Sequence, residues 1–148
     1  MQVLGLCRFS NPAGGVFQRL HKTVKERCVY LYDPVRLGAS FNSFKTIALP
    51  SIRGQADKDF RFLRLVGNTL PTALKEWLLE MTADVQKVEI IKKQIRPYQQ
   101  VAQEFINSTR DPKPLLCAQF RLDDDDAACV EFVEDVKTVS ARAWTIRI

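Results

Sequence analysis

Four consecutive carboxylates close the stretch "LLCAQFRLDDDDA": the run 115–122 gives way to Asp123, Asp124, Asp125 and Asp126. Adjacent carboxylates repel one another and gain nothing from an apolar core, so such a cluster needs something to take up its charge. A hard divalent cation does this. Mg²⁺ or Mn²⁺ prefers oxygen ligands and keeps positions for water and for substrate phosphates. Alternation along an extended chain puts Asp123 and Asp125 on one side, where two carboxylates can share one ion. Asp126 is placed to cap a helix from Ala127, where its charge also suits the helix dipole. The competing reading is an exposed acidic turn before a helix. The metal–phosphate reading is favoured because the run follows a strand, and open α/β sheets bind ligands beyond the carboxyl ends of their strands. Arg121, beside the cluster, is in reach simply to pair with it.

Other reactive residue types form no comparable constellation. His21 is the one histidine in the chain, and no acid or nucleophile accompanies it by motif, which argues against a histidine-dependent triad. "NPAGG" (11–15) lacks the phosphate-loop pattern and its strand-to-helix setting. Cys7, Cys28, Cys117 and Cys129 make no CxxC pair, so neither a zinc site nor a redox motif is expected. Cys7 and Cys117 fall in apolar strand-like runs and Cys129 on an expected helix face. They read as buried free thiols of a reducing, cytoplasmic compartment. Arg8 closes the first strand at the same edge as the aspartates, where it can meet a phosphate or base or stand as a surface arginine.

These residues need a scaffold, and the hydrophobic periodicity predicts one. "VLGLCRF" (3–9) is a first strand, followed by a loop at "SNPAGG". Residues 16–37 carry a helical hint (Leu20, Val24, Cys28, Leu31) that Asp33-Pro34 interrupts. Ser40 is expected to cap a helix with Phe41, Phe44, Ile47 and Ala48 on one side, kinked or restarted at Pro50. "FRFLRLV" (60–66) is a second strand. Pro71 opens a helix with Leu74, Trp77, Leu78 and Met81 on one face. "VEIIKK" (88–93) is a third strand, and Pro97 opens a helix bearing Tyr98, Val101, Ala102 and Phe105. "DPKP" (111–114) turns into the fourth strand, 115–122. Beyond the aspartates, Cys129, Phe132, Val133 and Val136 form a further helical stripe, and Trp144, Ile146 and Ile148 alternate as an edge strand would. The alternation predicts an α/β protein of three layers, α/β/α, with a mainly parallel sheet.

Composition agrees. The chain has 148 residues, 46% hydrophobic and 26% charged, which suits one soluble domain. No apolar run is long enough to span a membrane, and "MQVLGLCRF" lacks the basic start of a signal peptide. The net charge of +5 is spread without a basic block. That spread gives no nucleic-acid signature, and it is compatible with a phosphate-bearing ligand as well as with a solvated basic surface.

With these elements in place, the sequence resembles a known group. "PSIRGQADKDFRFLRLVG" (50–67) is similar to the helix-to-strand segment of nucleotide-sugar glycosyltransferases, where a Ser-x-x-x-Gln stretch and an Asp-Phe pair precede the second strand. "QFRLDDDDA" (119–127) is similar to their strand-end Asp-x-Asp motif. With "VLGLCRFS" (3–10) and "YDPVRL" (32–37), the chain resembles the bacterial putative rhamnosyltransferase family as far as about residue 137.

The resemblance implies a GT-A fold and a nucleotide-diphosphate sugar as donor. It implies that Asp123 lies near the ribose and that Asp125, with Asp123, holds Mn²⁺ or Mg²⁺, with Asp124 and Asp126 beside them. Arg8, Phe9 and Ser10 would flank the nucleotide. The cation would neutralise charge on the departing nucleoside diphosphate, while an acceptor hydroxyl, on a glycan or lipid, attacks the anomeric carbon with help from a carboxylate base.

Two departures stand out. Gly67-Asn68-Thr69 occupies the place where many relatives carry an acidic pair. The chain also ends 22 residues after Asp126, at Ile148, whereas such enzymes continue into an acceptor site and a catalytic base. The expectation is therefore one donor-binding domain over 1–148, incomplete on its C-terminal side and self-associating as a homo-oligomer to cover the apolar surface left open. The alternative is a non-catalytic nucleotide-binding or oligomerisation module derived from the same fold.

Overall fold

The computed structural model describes residues 1–9, 23–67, 69–85, 88–93, 98–113 and 116–145. The side chains of Arg8 and of residues 86–99, 101, 105, 144 and 145 also fall outside the description. So do Ser10, His21, the loop at 11–15 and residues 146–148. Four strands, β1 (Gln2–Phe9), β2 (Arg61–Gly67), β3 (Val88–Lys93) and β4 (Cys117–Arg121), form one parallel sheet in the order β3-β2-β1-β4. The order reverses at β1: the chain steps outward through β2 to β3, then returns to place β4 on the other side of β1. In such sheets the crossovers on the two sides of the reversal cover opposite faces, and a crevice opens between the carboxyl ends of the strands there.

Helices fill both faces as that rule requires. α5 (Tyr98–Thr109) covers one face, where Ala102 and Ile106 pack on Leu4, Leu6, Leu63 and Leu65. The other face carries α2 (Pro34–Ser43), a five-residue π-helical turn (Phe44–Ala48), α3 (Leu49–Arg53), α4 (Thr72–Thr82) and α6 (Phe132–Thr145). There Phe44, Ala48, Leu49, Ile52 and Val133 pack on Val3, Cys7, Phe60 and Phe62, while Leu37, Phe41 and Leu78 pack on Phe9 and Val66. Gly5 is fixed by close approach. The Phe62 and Phe120 rings lie over it with centroids 6.2 Å apart, and a Cβ there would stand 2.4 Å from Phe120 and 2.6 Å from Phe62.

Several expectations are corrected. Asp33-Pro34 ends α1 (Val24–Leu31) but also starts α2. The Asp33 carboxylate accepts hydrogen bonds from the Val35 and Arg36 amides, and Pro34 sits where a missing N–H costs nothing. Ser40 therefore lies inside α2 and caps nothing. Pro50 sits in the first turn of α3, directly after the π-helical turn. The wider turn accommodates a residue that has no amide to donate and whose ring crowds the preceding turn. No helix starts at Ala127: residues 127–131 are irregular and α6 begins at Phe132, so Asp126 is not its cap and Cys129 is an exposed loop residue. Trp144 belongs to α6 and not to an edge strand.

Candidate functional site

β4 ends at Arg121, and Leu122 continues its pairing by donating its amide to the Leu6 carbonyl at 3.1 Å. The aspartates follow as a tight turn: the Asp126 amide donates to the Asp123 carbonyl at 3.2 Å, and the Asp123 amide donates to the Asp126 carboxylate at 3.4 Å. The turn thus sits at the carboxyl end of β4, next to β1, at the reversal of strand order.

Each aspartate has a different environment. Asp123 is gripped by Arg121, whose Nη2 reaches both carboxylate oxygens at 2.9 and 3.2 Å while Nε donates to the first at 3.1 Å. Asp124 is half-buried. Burial pushes its carboxyl up, opposed by a hydrogen bond with the Ser40 side chain, by its backbone and by the charge of Arg64. Asp125 and Asp126 are exposed. Oxygen donors at the open end of a strand suit a hard cation. Among the described residues no three acidic, histidine or cysteine side chains converge to hold one unaided, so such a cation must complete its shell with water and ligand phosphates.

At the carboxyl end of β1, Phe9 is fully buried. Its ring meets Phe41 edge-on at 4.7 Å between centroids and stacks on Arg64, so the ring itself does not face a ligand. The backbone of Arg8 completes β1 opposite Leu65, while Ser10 lies outside the described residues. At the end of β2 the expected acidic pair is replaced by Thr69, whose hydroxyl shares a hydrogen bond of 2.7 Å with the Tyr32 hydroxyl, beside Asn68, which is outside the description.

Two polar residues of the strands and loops around the site are fully buried. Gln55 donates to the carbonyls of Ser51 (2.9 Å) and Cys129 (2.7 Å), and its oxygen accepts the Val133 amide at 3.0 Å. It thereby ties the segment after the aspartates, and the start of α6, to the approach to β2. Lys137 reinforces that junction with ion pairs to Asp57 (2.7 Å) and Asp59 (3.0 Å). The second residue is Arg64, fully buried on β2 with the Phe9 and Phe44 rings against its guanidinium. One signal pointed to it. Arg61 and Arg64 are three apart in a strand, hence on opposite faces, and a strand covered on both faces cannot leave both in water.

The family model described as putative rhamnosyl transferase matches residues 2–147. The chain belongs to this family. Its α/β fold with an open parallel sheet is consistent with a glycosyltransferase fold. No curated protein and no solved structure matches the chain. No helix among the described residues is long and apolar enough to cross a membrane.

Proposed function

We propose that this rhamnosyl transferase family member binds a nucleotide-diphosphate sugar over the carboxyl ends of β1 and β4, through Mn²⁺ or Mg²⁺ held by Asp125 and Asp123. The observation that carries this reading is the position of the aspartate turn at the reversal of strand order, where α/β sheets of this kind bind ligands. When bound, the cation would supply neutralisation of the charge that develops on the diphosphate.

The protein's own residues fix the geometry of the turn. Arg121 orients the Asp123 carboxylate, and Gln55 anchors the chain beyond the turn. In glycosyl transfer the bond from the anomeric carbon to the diphosphate oxygen breaks, and its electron pair leaves with the diphosphate. The acceptor hydroxyl oxygen forms the new bond and gives up its proton to a base. Rigid placement of the donor end contributes by orientation.

The test is calorimetric binding of nucleoside diphosphates with and without manganese. Binding that requires the cation supports the reading. No binding, or binding indifferent to the cation, contradicts it. Cation-dependent binding with no turnover of any nucleotide sugar identifies a binding module instead.

A further inference from the structure

β4 is the last strand on its side of the sheet, and among the described residues nothing pairs with its outer edge. Two bonds fix the phase of its backbone. The Gln2 amide donates to the Leu116 carbonyl at 3.0 Å, and the Leu122 amide donates to the Leu6 carbonyl at 3.1 Å. Even-numbered residues therefore turn their backbone groups to β1, while Cys117, Gln119 and Arg121 turn theirs outward. A row of open donors and acceptors is a template for another strand. Beside it lies a groove of about 370 Å³, lined by Ala118 and Gln119 of β4 and by Asp135, Val136 and Val139 of α6. Val139 is 64% exposed, an apolar side chain left in water. Asp135, Val139 and Arg142 recur at i, i+4 and i+7 and so form one stripe along α6.

We propose that this face pairs with the same face of a second copy, β4 against β4, antiparallel about a two-fold axis at Gln119. The two sheets of four described strands then join into one of eight. The homo-oligomer expected from the sequence thereby gains a definite face. A second copy fits better than an unrelated peptide because the face is complementary to its own reverse. In this register Gln119 lies opposite itself and Cys117 opposite Arg121, and these are the residues whose backbone groups point outward. Ala118 lies opposite Phe120, small against large. α6 covers β1 and β4, with Val133 and Val136 packed among Val3, Ala118 and Phe120. A partner strand about 4.8 Å away brings the second α6 to about 10 Å from the first, an ordinary spacing for packed helices. The two helices run antiparallel with Val139 near the axis. Asp135 is in the first turn of α6 and Arg142 in the last, so Asp135 of each copy meets Arg142 of the other.

The test is the mass of the full chain by light scattering during gel filtration. Wild type at tens of micromolar should give about 34 kDa, twice the 16.9 kDa of one chain. Gln119→Pro removes the outward amide at the centre and keeps the bonds to β1. Val139→Glu brings two carboxylates together at the axis, at a position already in water in the single chain. Each should halve the mass while circular dichroism stays that of wild type. Arg142→Asp should raise the dissociation constant of the dimer about tenfold, and adding Asp135→Arg should recover it. A wild type that stays monomeric, or that grows beyond two copies, overturns the proposal. So does a folded Gln119→Pro or Val139→Glu that remains dimeric; if Gln119→Pro does not fold, Val139→Glu decides. Charge reversal without recovery overturns the antiparallel pairing of α6.

Discussion

Gln55 and Arg64 are both polar and both closed to solvent, yet their surroundings are opposite. Both polar atoms of the Gln55 side chain have backbone partners, and the three bonds join the approach to β2 with the chain beyond the aspartates. Arg64 has aromatic faces and no hydrogen bond among the described residues. A satisfied buried amide holds a fold together, because removing it strands its partners. An unsatisfied buried cation does not, and its presence asks for an electrostatic reason. The junction at Gln55 is thus read as structural, and the charge at Arg64 as one that the stability of the fold does not require.

That contrast can be broken by substitution. The largest effect is expected at Gln55. Gln55→Ala leaves the Cys129 carbonyl and the buried Val133 amide unpaired and should cost about 3 kcal/mol in urea unfolding. A loss under about 1 kcal/mol would mean that water replaces the amide, and the contrast would lose one side. Lys137 tests the outer half of the same junction. Its ion pairs are near the surface, so Lys137→Met should cost only about 0.5–1 kcal/mol at low salt.

The pH dependence of that cost has a definite sign. Burial works to lower the Lys137 amine, but Asp57 and Asp59 together outweigh it and hold it above its usual 10.5. The folded state therefore holds this proton more tightly. The contribution is complete below pH 10.5 and disappears as pH rises through the higher folded value, where wild type and variant should converge. The smallest stability effect is expected at Arg64: Arg64→Met should lie within about 1 kcal/mol of wild type or above it. A loss comparable to that of Gln55→Ala would show that Arg64 is structural after all.

Much of this arrangement was legible in the sequence. Strand and helix periods gave the α/β alternation, and the strand 88–93 coincides with β3. The abrupt passage from "CAQFRL" to four aspartates marked the carboxyl end of β4. What could not be read locally depended on tertiary partners. Asp33-Pro34 reads equally as a stop and as a start, since both uses exploit the same missing amide. Asp126 seemed a cap because a carboxylate before apolar residues usually is one. Here α6 receives its buried acceptor from Gln55, 78 residues earlier in the chain. The surroundings of Arg64 could not be read from the strand pattern, because its two aromatic neighbours, Phe9 and Phe44, come from β1 and the π-helical turn.

The central claim is that the aspartate turn takes a divalent cation together with a nucleoside diphosphate, and thermal unfolding with Asp125→Asn tests it most directly. With manganese and a nucleoside diphosphate near a hundredfold above their dissociation constants, wild type should melt about 5 °C higher, or more. Neither component alone should match that rise, and Asp125→Asn should lose its manganese-dependent part. A folded wild-type protein whose melting temperature does not move at saturating ligand, or an Asp125→Asn variant that shifts as fully as wild type, would contradict the account.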